Sequence, residues 1–224
     1  MGSDITLTTP DNFALGAYVA EPAGSAKGAV VVIQEIFGVN SHIREVTDGY
    51  AAAGYWAIAP KIFDRVEADI ELGYTEADMG TGIELAFQKL DMQQTLADLQ
   101  VAINEAGKHG KVGVVGYCFG GLLTWLSACH LEGLAAASSY YGGGVAGQLD
   151  NTPKCPVIFH FGKLDAHIPM TDVEAVKVAQ PDSPVYVYDA DHGFNCDHRE
   201  SYDEAASKSA LQRTLAHFES HLAA

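Results

Sequence analysis

The chain has 224 residues, of which 48% are hydrophobic and 19% are charged, and these proportions are typical of a folded globular protein. The formal net charge is −16 and the Lys and Arg residues form no cluster, so the chain would repel a nucleic-acid backbone. The apolar runs are strand-sized, well short of the roughly 20 residues that a membrane helix needs. We therefore expect no nucleic-acid partner and no membrane span.

The first residues contain no basic region, apolar core or cleavage site of a secretory signal. Four cysteines are spread along the chain without a C-x-x-C pair, a spacing that suits reduced thiols better than a disulfide framework. Together these features predict a cytoplasmic protein. We expect it to be a monomer or a small homo-oligomer.

Short apolar runs alternate with longer amphipathic segments, which predicts an α/β fold, a mostly parallel twisted sheet with helices on both faces. Because residues 28–34 include five successive apolar side chains without polar alternation, we place this strand at the centre of the sheet. Residues 1–224 show no repeat or linker and are predicted to form a single domain. The other predicted strands are 13–21, 55–59, 111–115, 134–140, 156–161 and 185–188. The predicted helices are 41–53, 92–109, 119–130, 171–178 and 203–222.

Two segments add detail to this pattern. Thr171 and Glu174 have the spacing of a capping box, so we expect the helix there to begin with Thr171 as its cap. Residues 62–82 are acidic and are interrupted by three glycines, which predicts a loop or a cap over a functional site.

Residues 111–121 combine a buried strand, the pattern G-x-C-x-G and the start of a helix. This is the spacing of a nucleophile elbow, with Cys118 in the position where serine is commoner. Gly116 and Gly120 would relieve the crowding at the sharp turn, and the helix amino terminus would favour a thiolate. The alternative interpretation is a tight strand-to-helix turn around a buried cysteine.

In an α/β-hydrolase the nucleophile, acid and histidine follow one another in the chain, each after a strand. Asp165 and His192 occupy those positions after the strands 156–161 and 185–188. The imidazole would take the thiol proton, and the carboxylate would orient the imidazole. Asp189 and Asp191 are competing acids, but they lie too near the histidine in sequence to reach its ring. We expect the other histidines to be ordinary surface or core residues: His42, His109, His130, His160 and His167.

Residues 34–38, Gln-Glu-Ile-Phe-Gly, follow the predicted central strand. In this fold the oxyanion hole uses the backbone N–H after the nucleophile, here Phe119, and one from an early loop, here Ile36. Glu35 is an unusual residue at the end of an apolar strand. It is either a buried carboxylate that needs a partner or a solvated loop residue.

Taken together, residues 34–38, the elbow, Asp165 with Pro169, and the Asp-His-Gly-Phe run at 191–194 resemble the dienelactone hydrolase family, also called carboxymethylenebutenolidases. The resemblance implies Cys118 as nucleophile, His192 as base, Asp165 as its orienter and Glu35 as a carboxylate that governs protonation of the cysteine. It also implies attack on an ester or lactone carbonyl, an acyl-enzyme thioester and its hydrolysis, without a cofactor.

The same resemblance bears on the substrate. Family members bind a substrate carboxylate with two arginines, but the corresponding positions here fall near Gly80 and at Cys196. Arg199 and Arg65 are nearby candidates, although each could be an ordinary surface arginine. Phe37 and Tyr141 are expected to line an apolar pocket, and core packing would explain these aromatics equally well.

Other functions remain open. An esterase, thioesterase or peptidase of different specificity would differ only in its substrate, whereas a non-catalytic homologue could bind a ligand or sense redox state through Cys118. His217 and His221 are spaced for one helix face, but no third ligand is evident, so we expect no metal there. The Asp197–His198 pair also offers ligands, and we expect none of these groups to bind a metal.

Overall fold

The computed structural model describes residues 2–223, and within them eight strands form one mixed sheet. The strands are β1 (Ser3–Thr8), β2 (Ala14–Ala20), β3 (Ala29–Ile33), β4 (Trp56–Pro60), β5 (Val112–Tyr117), β6 (Leu134–Tyr140), β7 (Val157–Gly162) and β8 (Val185–Tyr188). Their order across the sheet is β1-β2-β4-β3-β5-β6-β7-β8. β1 and β2 pair antiparallel. Every neighbouring pair from β4 to β8, taken in the order across the sheet, is parallel.

Six α-helices connect or flank these strands within residues 2–223. They are α1 (Ser41–Ala52), α2 (Glu76–Glu84), α3 (Met92–Ala106), α4 (Phe119–His130), α5 (Met170–Ala179) and α6 (Glu204–Leu222). α2 continues directly into a π-helical turn, Leu85–Lys89. No helix in this part of the chain is long and apolar enough to cross a membrane.

The faces of the sheet are distinguished by two glycines of β5. A side chain at Gly113 would meet Phe218 of α6, whereas one at Gly116 would meet Gly120 of α4. Because alternate residues of a strand point to opposite faces, α4 and α6 cover opposite faces of the sheet. The predicted α/β architecture is confirmed, and the fully buried β3 lies in the interior of the sheet, as expected.

Three details differ from the predicted elements. β1 is an additional edge strand whose mostly polar sequence gives little hydrophobic signal. α2 occupies part of the segment 62–82, although Gly80 and Gly82 are poor helix formers. The prediction that Thr171 caps this helix was wrong. α5 begins at Met170, after Pro169, so Thr171 lies inside the first turn.

Parallel strands place the functional candidates at one edge of the sheet. Glu35 follows β3, Cys118 follows β5, Asp165 follows β7 and His192 follows β8. The carboxyl ends of these strands all point the same way, and ligands of open α/β sheets bind at that edge. The topology thus brings together residues that are up to 157 positions apart in sequence.

Candidate active site

Cys118 stands at the turn between β5 and α4 with φ 55° and ψ −115°, a left-handed conformation that is uncommon for a residue with a side chain. Its backbone N–H donates to the Tyr140 carbonyl at 3.0 Å, which ties the turn to β6. A side chain at Gly116 would clash with the carbonyl oxygen of Gly120, so the crowding expected from the G-x-C-x-G pattern is present. The thiol is half-buried rather than sealed in the core.

His192 and Asp165 form a buried pair. His192 Nδ1 lies 2.7 Å from Asp165 Oδ2, and the Asp165 side chain is fully buried. The second oxygen of the carboxylate accepts the backbone N–H groups of His167 at 2.8 Å and Ile168 at 3.2 Å. These bonds fix the carboxylate, and the carboxylate in turn fixes the imidazole.

The electrostatics of this pair favour the imidazolium. Burial alone lowers the pKa of His192, but its hydrogen bonds and electrostatic interactions with Asp165 and Cys118 outweigh burial and raise that pKa to about 10. The contacts with the carboxylate and the sulfur therefore stabilise the protonated form of His192. The structure thus brings together the three residues that the sequence suggested as nucleophile, base and orienter.

The two backbone donors suggested for an oxyanion hole lie at adjoining places in the fold. Phe119 is the first residue of α4, where an N–H has no acceptor within the helix. Within residues 2–223 the Ile36 N–H donates to no other group. A side chain at Gly120 would clash with the Ile33 and Gln34 carbonyl oxygens, so the start of α4 lies directly against the loop that carries Ile36.

Glu35 is a buried carboxylate, with 1% of its surface exposed. Neither of its oxygens has a hydrogen-bond partner among the described residues, and Arg199 Nη1 lies 3.7 Å from Oε1. Glu35 is therefore not a solvated loop residue. Its charged neighbour is Arg199 of the loop that follows His192.

Aromatic side chains lie next to His192 and Arg199. Tyr141 is fully buried, and its ring centre lies 5.1 Å from that of His192. Phe37 is also buried and meets Tyr74 edge to face at 4.8 Å. The Arg199 guanidinium lies 5.8 Å from both the Phe37 and the Tyr74 ring centres.

The other candidate arginine is engaged elsewhere. Arg65 forms paired hydrogen bonds with Asp98 and with Asp11, all between 2.7 and 2.9 Å, and it lies over the Phe13 ring. These acidic partners occupy the N–H groups of Arg65, which favours the alternative that Arg65 is an ordinary surface arginine rather than a ligand of a substrate carboxylate. Arg199 lines a surface pocket with Tyr74, Asp191, His198, Glu200 and Ser201.

The segment 62–82 supports the Ile36 loop. The Leu72 N–H donates to the Phe37 carbonyl at 2.8 Å, and Gly38 forms a β-bridge with Glu71. Sequence reasoning missed the role of Tyr74 in this segment, although an aromatic residue in an otherwise acidic and glycine-rich stretch is a usable signal. It also treated His167 as ordinary, yet the His167 ring centre lies 5.2 Å from that of His192.

The sheet order, the strained turn after β5 and the His192–Asp165 pair define an α/β-hydrolase. Within that class the chain belongs to the dienelactone hydrolase family, whose model matches residues 15–222. The resemblance drawn from the motifs is therefore confirmed, and the protein is an enzyme, a hydrolase.

Relatives cover nearly the whole chain. A carboxymethylenebutenolidase of Pseudomonas putida is 32% identical, over 94% of this chain and 93% of its own length. A Synechocystis sp. protein assigned as a carboxymethylenebutenolidase is 37% identical, over 96% of each chain. A solved structure from Klebsiella pneumoniae, assigned as a dienelactone hydrolase, is similar with a TM-score of 0.84 at 32% identity and covers 97% of this chain and 98% of that one.

Proposed function

We propose that the protein hydrolyses carboxylic esters or lactones with Cys118 as nucleophile, His192 as acid and base, and Asp165 as the group that orients His192. The observation that carries this proposal is the buried His192–Asp165 pair, 2.7 Å apart, beside a cysteine on a strained strand-to-helix turn. A dienelactone substrate is not required by this geometry, which is suited to acyl transfer in general.

The reaction proceeds in two halves. The Cys118 thiolate attacks the carbonyl carbon, and the N–H groups of Ile36 and Phe119 stabilise the oxyanion that forms. The carbon–oxygen bond of the ester then breaks, His192 gives its proton to the departing alkoxide, and a thioester remains. In a lactone the new hydroxyl stays attached to the acyl group. A water molecule, deprotonated by His192, then attacks the thioester and releases the carboxylic acid and the Cys118 thiolate.

Replacement of the nucleophile tests the proposal. Cys118→Ala should abolish hydrolysis of p-nitrophenyl acetate, a loss of at least about a thousandfold because the variant lacks the sulfur that forms the thioester. Acid-quenched wild-type protein should carry one added acetyl group by intact mass spectrometry, and the variant should carry none. Cys155→Ala is the matched control, since Cys155 is a buried thiol away from this edge. Activity that survives in Cys118→Ala would refute the assignment.

The substrate class depends on Arg199. We propose that it binds the carboxylate of an anionic lactone, because it is the arginine that the structure places beside Glu35 and Phe37. Its existing contact with Glu35 supports a second candidate, a hydrolase of neutral esters, in which the charge of Arg199 only balances that of Glu35.

A matched pair of substrates separates these two candidates. Arg199→Ala should reduce kcat/KM for a lactone that carries a free carboxylate about 10- to 100-fold more than for the methyl ester of the same lactone, the value of a charge-assisted hydrogen bond. Arg199→Lys keeps a positive charge near Glu35 and controls for loss of that balance. An equal loss for both substrates would favour the neutral-ester candidate.

We also propose a cytoplasmic location, a single domain and a monomer or small homo-oligomer. Four free thiols, Cys118, Cys129, Cys155 and Cys196, are a state that a reducing compartment maintains. Thiol counting on protein denatured directly from cells should find four reactive groups per chain, and sedimentation of the purified protein gives its oligomeric state.

A further inference from the structure

A cluster of His, Glu and Asp side chains lies outside the hydrolytic site. Its four members are His42, Glu45, Asp197 and His198, and their potential ligand atoms lie within 4.8 Å of one another. His42 and Glu45 are three residues apart on α1 and so project from the same side of the helix. Asp197 and His198 belong to residues 189–203, here named the His192 loop because that residue is part of it. The cluster therefore joins α1 to the loop that carries the proposed base.

The separations within the cluster are close to those around a tetrahedral ion. Zinc bonds of about 2.0 Å in a tetrahedron place neighbouring ligand atoms about 3.3 Å apart. His42 Nδ1 lies 3.3 Å from Asp197 Oδ1, and His198 Nε2 lies 2.8 Å from Glu45 Oε2 and 3.8 Å from Asp197 Oδ1. Glu45 and Asp197 are exposed carboxylates, so they can adjust without disturbing the core.

His42 supplies an independent indication of a ligand. Only 2% of the residue is exposed, yet Nδ1 meets only Asp197 Oδ1, at 3.3 Å without a well-formed hydrogen bond, and Nε2 has no hydrogen-bond partner among the described residues. A buried imidazole without a well-formed hydrogen bond is costly, and most buried polar groups in proteins are satisfied. A cavity of about 240 Å³ reaches this ring and is also lined by Glu45 and Asp197. A cation that enters this cavity would meet an imidazole nitrogen and two carboxylates.

We propose that His42, Glu45, Asp197 and His198 form a zinc site. Two imidazoles and two carboxylates are a donor set that zinc accepts, whereas Mg²⁺ and Ca²⁺ prefer oxygen ligands alone. Four protein ligands close the coordination shell, so the ion is structural rather than catalytic. It fastens the His192 loop to α1, and the loop also contains Arg199, the next residue after His198. This site is independent of the proposed ester hydrolysis.

Zinc binding to the full-length protein tests the site. Protein stripped with a chelator should bind one Zn²⁺ per chain in competition with a chromophoric chelator, and zinc should raise its Tm. Asp197→Asn and Glu45→Gln each remove one ligand charge from an exposed position and should weaken binding at least about tenfold. Co²⁺ in the same site should give the intense visible absorption of a tetrahedral ion.

His221→Gln is the matched control, because His217 and His221 are a closely spaced histidine pair outside the cluster and their ring centres lie 4.6 Å apart. This variant should bind zinc as the unaltered protein does. The proposal is overturned if the stripped protein binds zinc no more tightly than Asp197→Asn, or if His221→Gln loses as much affinity as that variant. An octahedral Co²⁺ spectrum would also overturn it. None of these readouts depends on hydrolytic activity.

Discussion

Asp165 determines how His192 can act. The carboxylate accepts two backbone N–H groups on one oxygen and contacts His192 Nδ1 with the other, so the ring nitrogen that faces away from it is the one available to Cys118. The sign of the pKa shift follows from the same contacts. Burial opposes the imidazolium, and the interactions with Asp165 and Cys118 raise the pKa of His192 to about 10.

Asp165→Asn should therefore lower kcat for p-nitrophenyl acetate about 10²- to 10⁴-fold, because the amide neither fixes the tautomer nor stabilises the imidazolium. The pKa of His192, followed by NMR of its ring protons, should fall in the same variant. Asp189→Asn removes an exposed carboxylate near His192 in sequence and serves as the control. If Asp189→Asn lost more activity than Asp165→Asn, the acid would have been assigned to the wrong residue.

At the level of elements, local steric rules explain which features the sequence could predict. The turn at Cys118 was predictable because Gly116 and Gly120 crowd one another within five residues. The meeting of His192 with Asp165 followed from chain order and parallel strands, which place them at one edge. Long-range packing was not predictable in this way.

Two features of the structure could not be predicted from the local sequence. The burial of His42 depends on how α1 packs beneath the His192 loop, and nothing in the sequence around His42 indicates it. α2 forms although it contains two glycines, because Thr75 and Asp78 form a capping box and the helix packs on the Ile36 loop. Tertiary contacts thus override the local helix propensity of this segment.

The two glycines of α2 allow a matched test of that packing. A side chain at Gly82 would clash with the Ile36 carbonyl oxygen, whereas one at Gly80 would meet nothing within 4 Å. Gly82→Ala should displace the Ile36 loop and reduce kcat for p-nitrophenyl acetate about tenfold or more, since an oxyanion donor is worth about 10²- to 10³-fold. Gly80→Ala should leave kcat unchanged and stabilise the helix by about 1 kcal/mol. Equal kcat values for the two variants would show that the packing of α2 does not position the oxyanion hole.

At the scale of the whole molecule, the buried residue His160 has a pKa that is shifted in the opposite direction to that of His192. His160, in β7, contacts the Tyr188 hydroxyl at 2.8 Å and the Thr214 hydroxyl at 3.1 Å, and so links β7 to β8 and α6. Burial, with smaller effects from Arg213 and His217, lowers the pKa of His160 to about 3. The folded protein therefore keeps His160 neutral under conditions in which the unfolded chain, with a pKa near 6.5, binds a proton.

Because the unfolded state binds more protons between these two pKa values, His160 should make the free energy of unfolding fall as pH drops from about 6.5 toward 3, by up to about 1.4 kcal/mol per pH unit. His192 acts in the opposite direction: its folded pKa of about 10 lies above the unfolded value, so its contribution is lost as pH rises from about 6.5 to 10. Stability should consequently be greatest near neutral pH. Urea unfolding at a series of pH values measures the free energy of unfolding on the acid and the alkaline side of this maximum. His160→Asn should weaken the pH dependence of this free energy on the acid side and leave it unchanged on the alkaline side. If the free energies of His160→Asn and of the unaltered protein fell equally steeply toward low pH, other groups would have to control stability there.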